Sequence, residues 1–242
     1  MSDRTTPIVE ALSSVAKLRQ ARATNHELNK QVLALKNYQA RRFAATYADM
    51  LQDPRHRPAI DFFLQELYGP QDFSDRDAQF AKVVPALVRL FPDDVVRTAG
   101  HLARLHALTE QLDSRMATQL SSDTAITRTN YVLAWTACGQ PDARRQQLEL
   151  TVAVGRSLEN LTRSRTLRHA LHLMRRPAKV AGLAALQRFL ENGFDAFAKM
   201  KGADAFMTSM EKRESCLANA LWHTNTTETQ HLPADSPLWQ LP

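Results

Sequence analysis

Pro92-Asp-Asp-Val-Val-Arg-Thr-Ala-Gly-His-Leu-Ala-Arg-Leu-His-Ala-Leu-Thr-Glu-Gln-Leu-Asp-Ser-Arg-Met116 carries the pattern that decides the fold class. Leu102, Leu105, Leu108, Leu112 and Met116 recur every third or fourth position, so they line one side of a helix. Proline at the start suits the first turn, and Asp93 and Asp94 suit the positive end of the helix dipole.

The same period continues on both sides of this stretch. Upstream, Ile8, Leu12, Val15 and Leu18 mark a helix, and Thr24 with Glu27 fits a capping box that would open a second one. That segment runs through Val32, Leu35, Phe43 and Tyr47, and the sequence leaves open whether residues 7–52 form one helix or two. Pro54 and Pro58 close it. Residues 58–68 form a short helix whose apolar surface, widened by Phe62 and Tyr68, is broad enough to be buried on two sides. Ser74 and Asp77 look like another capping box, opening a helix with Pro85 inside it. Downstream, Ser121-Ser122-Asp123 is a break, Gly139 closes a helix ending at Cys138, and Pro141 opens the next. The segment 162–174 continues or bends, and Pro177 is expected to reset the chain. Gly202 closes a helix, and Asp204 caps a last one through Leu221 and Trp222.

These readings add up to about eight to ten helices with short loops and no strand: an all-α, single-domain helical bundle over residues 1–223. Residues 224–242 form a tail that is poorly ordered unless Leu238 and Trp239 dock. Composition agrees. Of 242 residues 44% are apolar, enough for a core, and only 7 are glycine, which disfavours glycine-rich phosphate loops. The longest near-apolar stretch, Val180 to Leu186, is too short to span a bilayer. Cys138 and Cys216 lie far apart and outside any CxxC pair, so two buried free thiols in a soluble, cytoplasmic protein are expected.

Residues 59–92 hold a long motif: Ala-Ile-Asp-Phe-Phe-Leu-Gln-Glu-Leu-Tyr-Gly-Pro-Gln-Asp-Phe-Ser-Asp-Arg-Asp-Ala-Gln-Phe, continuing to Leu90-Phe91-Pro92. The chain resembles here an uncharacterised bacterial family named for its FFLEELY motif, with Gln65 replacing the first Glu. The resemblance implies a helical protein and brings no activity, cofactor or catalytic residue. Read physically, Asp61, Phe62, Phe63, Glu66, Tyr68, Asp72, Arg76 and Asp77 combine carboxylates with an aromatic cluster. An Arg76–carboxylate bond could fix the turn between two helices, giving a structural network. The same residues could instead line an apolar pocket in which a carboxylate with a raised pKa serves acid–base chemistry.

Other constellations are sparse. No GxSxG, Walker A or GxGxxG fingerprint occurs. Glu228–His231 alone has di-iron spacing, and His169 and His172 share a helix face with no carboxylate or Cys near enough to complete a metal shell. No cofactor and no metal is implied. The charge distribution is more informative. The chain carries a net +6, and no acidic residue occurs between Asn160 and Leu190. On a helix, Arg165, Arg168, His172, Arg175 and Arg176 fall near one face, suited to an anionic ligand. The bland alternative is a solvated face or one paired with Glu149, Glu159 or Asp204. Aromatic interleaving is absent and no helix-turn-helix or zinc finger occurs, which argues against sequence-specific DNA binding.

Three functions follow in order. The first is a non-enzymatic protein that binds a partner or itself, with the stripe of residues 7–52 as a possible homodimer seam. The second is a small-molecule binder or enzyme with a pocket near Phe62–Tyr68. The third is nucleic-acid or anionic-surface binding through Arg165–Arg176.

Overall fold

The computed structural model describes residues 4–67, 69–121, 125–224 and 232–242. Tyr68, Ser122, Asp123, Glu228 and His231, which the sequence singles out, lie outside these residues. Eleven α-helices are formed among the described residues and no strand. They are α1 (Thr5–Ala23), α2 (His26–Thr46), α3 (Ala48–Leu51), α4 (Arg57–Phe62), α5 (Ser74–Leu90), α6 (Asp93–Ala117), α7 (Arg128–Cys138), α8 (Pro141–Thr162), α9 (Arg165–Val180), α10 (Ala184–Met200) and α11 (Asp204–His223). A π-helical turn, Phe63–Leu67, follows α4, and a 3-10 turn, Pro237–Gln240, lies near the C-terminus.

The 7–52 segment is therefore two long helices and a short third. The break is set by Asn25, not by Thr24. Asn25 Oδ1 accepts from the Leu28 amide at 3.0 Å, while the Thr24 hydroxyl donates back to the Ala21 carbonyl. Asparagine ranks above threonine as an N-cap, and the Thr24 hydroxyl is committed to the end of α1. The capping box expected of Ser74 and Asp77 does not form either; α5 has no side-chain cap. Asp72 Oδ1 accepts from the Ser74 amide at 2.9 Å and from its hydroxyl at 2.5 Å, which frees Asp77 for other partners. Thr127 and Asn130 form a reciprocal capping box that opens α7. Gly139, at φ 65°, ends α7 in a conformation that favours glycine.

Pro177 does not reset the chain. It sits in the exposed last turns of α9, where water can serve the carbonyl that lacks an amide partner. The bend falls earlier, at Arg163–Ser164, and the Ser164 hydroxyl accepts from Leu167 at 3.2 Å to open α9.

α6 is the axis, with α1 on one side and α8 on the other, and α2, α5 and α7 touching it along its length. Two apolar clusters result. One joins Phe43, Tyr47, Ile60, Phe62, Phe63, Phe80, Phe189, Phe197, Phe206 and Met207. The other joins Leu35, Tyr38, Met116, Tyr131, Trp135, Leu217 and Leu221 with Leu238 and Leu241 of the docked C-terminal turn. Each such side chain contributes about 1.5–3 kcal/mol by burial. Ile8, Leu12 and Val15, the start of the seam considered for a dimer, are buried against α5 and α6 of the same chain. Cys138 is buried, but Cys216 is exposed, because α11 turns Leu217 inward and the preceding residue outward.

Candidate functional site

The motif begins where α4 passes into the π turn. Phe62 and Phe63 are consecutive, so they point in different directions around the helix, and both are buried. Phe62 packs on Phe189 of α10, with ring centres 5.6 Å apart, while Phe63 meets Phe43, Phe197 and Phe206. α10 comes so close that a Cβ at Gly193 would lie 2.9 Å from the Phe62 ring. Arg76, at the start of α5, ties this corner together. Its guanidinium lies over Phe73 at 4.1 Å and Phe189 at 4.6 Å, donates to the Glu66 carbonyl at 2.8 Å, and forks onto Asp77 Oδ1 with both distances 3.2 Å. The Arg76 contact thus fixes the turn mainly through a backbone oxygen. The Glu66 carboxylate accepts from Asn192 at 3.0 Å.

Asp77 is the link to a second charged centre. Its Oδ2 accepts from Arg19 of α1 at 2.7 Å and lies 2.7 Å from His106 Nε2 of α6. Burial pushes the Asp77 carboxyl up, but His106, Arg76 and Arg19 outweigh it and hold it below the ordinary carboxylate range. The raised carboxylate that acid–base chemistry would need is therefore not formed there. One turn along α6, Glu110 is 1% exposed and meets Arg22 and Lys36 at 2.6 Å each and Arg19 at 3.4 Å. Burial raises its pKa, but Lys36, Arg22 and Arg19 prevail and bring it to about 2. Next to it Asp113 is fully enclosed; burial pushes it up, and it accepts from Gln39 at 3.1 Å. This network staples α1, α2, α5 and α6 to one another.

Two spaces adjoin these charges. A cavity of about 40 Å³ is lined by Phe63, Arg76, Asp77, Phe80, His106 and Phe189. It has room for a water or two, whereas a pocket for a small organic ligand needs roughly 300 Å³ or more. A groove of about 660 Å³ runs over α1, between α2 and the start of α5, with Val9, Ala16 and Leu33 among its apolar lining and Arg19 and Lys36 among its polar lining.

The basic region is placed differently. α9 lies on the outside of the bundle against α10 and the end of α8, and among its described residues Ala178 alone is buried. Of the acids that could have neutralised it, Glu159 takes Arg163 and Asp204 takes Arg156. Glu191 takes Arg175 at 2.6 Å. Arg168 lies 5.6 Å from the centre of the Phe194 ring. Arg165, Arg168 and Arg176 form no ion pair among the described residues, and His172 is exposed beside them. Leu173, 76% exposed, and Val180, 90% exposed, stand on the same outer side. Among the described residues no group of His, Cys, Asp and Glu could hold a metal ion, and no helix is long and apolar enough to cross a membrane.

A family model described as a domain of unknown function, DUF8198, matches residues 18–228. The chain belongs to the DUF8198 family. No curated protein and no solved structure matches it. The DUF8198 match takes in both the corner around Phe62, Phe63 and Arg76 and the whole of α9.

Within this DUF8198 domain the structure brings Phe62, Phe63, Glu66, Arg76 and Asp77 together. Asp61 stays outside, paired on the surface with Arg57 at 3.6 Å, and Asp72 accepts from Ser74 in the turn before α5. Sequence reasoning missed Arg19, Arg22, Lys36, His106 and Glu110. A signal for four of these exists. Arg19 and Arg22 continue the spacing of Ile8, Leu12 and Val15, and His106, Glu110 and Asp113 fall between Ala103 and Ala117 at steps of three and four. Charged residues on a buried stripe announce an internal ion network.

Proposed function

We propose that this chain is a non-enzymatic binding protein that docks an anionic partner through the outer face of α9. One contrast supports the reading. The buried Arg22 and Arg76 and the half-buried Arg19 hold carboxylates, whereas the exposed Arg165, Arg168 and Arg176 form no ion pair among the described residues. Guanidinium forks that hold no carboxylate can bind carboxylate or phosphate oxygens without first giving up an ion pair. The test uses heparin as a generic polyanion. Immobilised heparin retains the wild-type protein at low salt and releases it as salt rises. The triple variant R165E/R168E/R176E, with its far-UV spectrum unchanged, elutes at much lower salt. Equal elution of the two proteins would refute the assignment of α9.

A further inference from the structure

We propose that the partner of α9 is the anionic surface of a lipid bilayer, a proposal that rests on the docking role of α9 given above. α9 has 16 residues and is about 24 Å long at 1.5 Å a residue. Leu173 and Val180 stand seven residues apart, hence on one line along the helix, and are among the most exposed large apolar side chains of the described chain. Leu190, 40% exposed at the neighbouring α10, and Met174, 47% exposed, extend the apolar surface. Around them lie Arg165, Arg168, Arg176, Lys179 and Arg188, all exposed. Lys82 of α5 joins this edge, with its ammonium 3.5 Å from the Ala181 carbonyl. Glu159 and Glu191, on the helices that α9 packs against, are already neutralised by Arg163 and Arg175.

This combination fits a headgroup layer better than it fits other polyanions. A helix lying in the plane of a membrane sinks an apolar line into the acyl boundary, and its arginines and lysines stay at the level of the phosphates. On a nucleic acid Leu173 and Val180 would face phosphates with no compensating contact, and α9 has no Phe, Tyr or Trp to offer a platform for bases. Charge attracts the face to anionic lipid, and the apolar line fixes its depth. Attachment through one such face is peripheral and reversible.

The experiment is co-sedimentation of the full chain with phosphatidylcholine vesicles, with and without phosphatidylglycerol. The expected result is sedimentation only with phosphatidylglycerol, reversed by salt, and weakened about fivefold for each of Arg165, Arg168 and Arg176 changed to glutamine. The variant L173S/V180S should lose vesicle binding while keeping its wild-type elution from heparin. If phosphatidylglycerol vesicles fail to carry down the protein at low salt while heparin still retains it through α9, the lipid proposal is overturned. The anionic partner is then an acidic protein or a nucleic acid. Vesicle binding unaffected by L173S/V180S also overturns it. If the arginine variants change neither vesicle nor heparin binding, the docking role of α9 falls as well.

Discussion

Replacing Glu110 by glutamine should be among the most destabilising single changes available in this fold. Its carboxylate holds Arg22 and Lys36 at 2.6 Å each and Arg19 at 3.4 Å, and its side chain is 1% exposed. Removing the charge leaves Arg22 and Lys36 without a carboxylate, while Arg19 keeps Asp77; breaking a buried pair in this way costs about 3–5 kcal/mol. The titration argument gives a similar size. The pKa falls from 4.5 to about 2, which corresponds to about 3 kcal/mol of stability. The folded-state value is the lower one, so this contribution is complete above the unfolded value of 4.5 and is lost as pH falls through that range toward 2. In a chain of this length a loss of about 3 kcal/mol lowers Tm by about 6–12 °C. Urea unfolding followed by far-UV circular dichroism reads it. At about pH 7 the wild type should exceed E110Q by about 3 kcal/mol, and the gap should close as pH falls below about 4. A variant within about 1 kcal/mol of wild type, or a gap unchanged at low pH, would refute the staple.

Asp49 provides the contrast, since Arg213 also brings it to about 2 through a two-pronged bond, yet its side chain is 59% exposed. Solvent screens that pair, so D49N should cost less than about 1 kcal/mol in the same urea assay. Arg76→Lys keeps the charge but loses the fork on Asp77 and the flat stack between Phe73 and Phe189; a loss of about 2 kcal/mol is expected in thermal melts, and a neutral result would contradict the corner. Gly193→Ala forces a methyl against the Phe62 ring and should cost about 1–3 kcal/mol by calorimetry, because that ring is itself held by Phe63 and Phe189. L173S/V180S should leave Tm unchanged within about 0.5 kcal/mol of stability, because both side chains are already in water.

The all-α architecture was legible because its signal is repeated. Ile8-Leu12-Val15 and Leu102-Leu105-Leu112 keep their period over several turns, and such repetition overrides local ambiguity. Cap identities were less legible, because Thr24 and Asn25 are both good caps and the choice between them depends on which side chain reaches the first turn. Pro177 was misread because proline breaks a helix only where the lost hydrogen bond cannot be replaced, and exposure cannot be seen in the residue itself. Most of the charged network was hidden for a different reason. Asp77 and Arg76 stood out beside aromatic residues, but their partners Arg19 and His106 come from helices 58 and 29 positions away from Asp77, respectively. Pairing at that range is decided by packing. The basic face of α9 was visible as a run without acids. Its lack of partners was not, because Glu159 and Asp204 could have reached it and instead hold Arg163 and Arg156.

The most direct measurement follows the arginine Nε–H resonances by NMR as heparin is added. The account predicts that the signals of Arg165, Arg168 and Arg176 move together, while those of Arg19, Arg22 and Arg76, enclosed with their carboxylates, stay in place. Movement confined to the enclosed arginines, or no movement at all, would contradict α9 as the docking face.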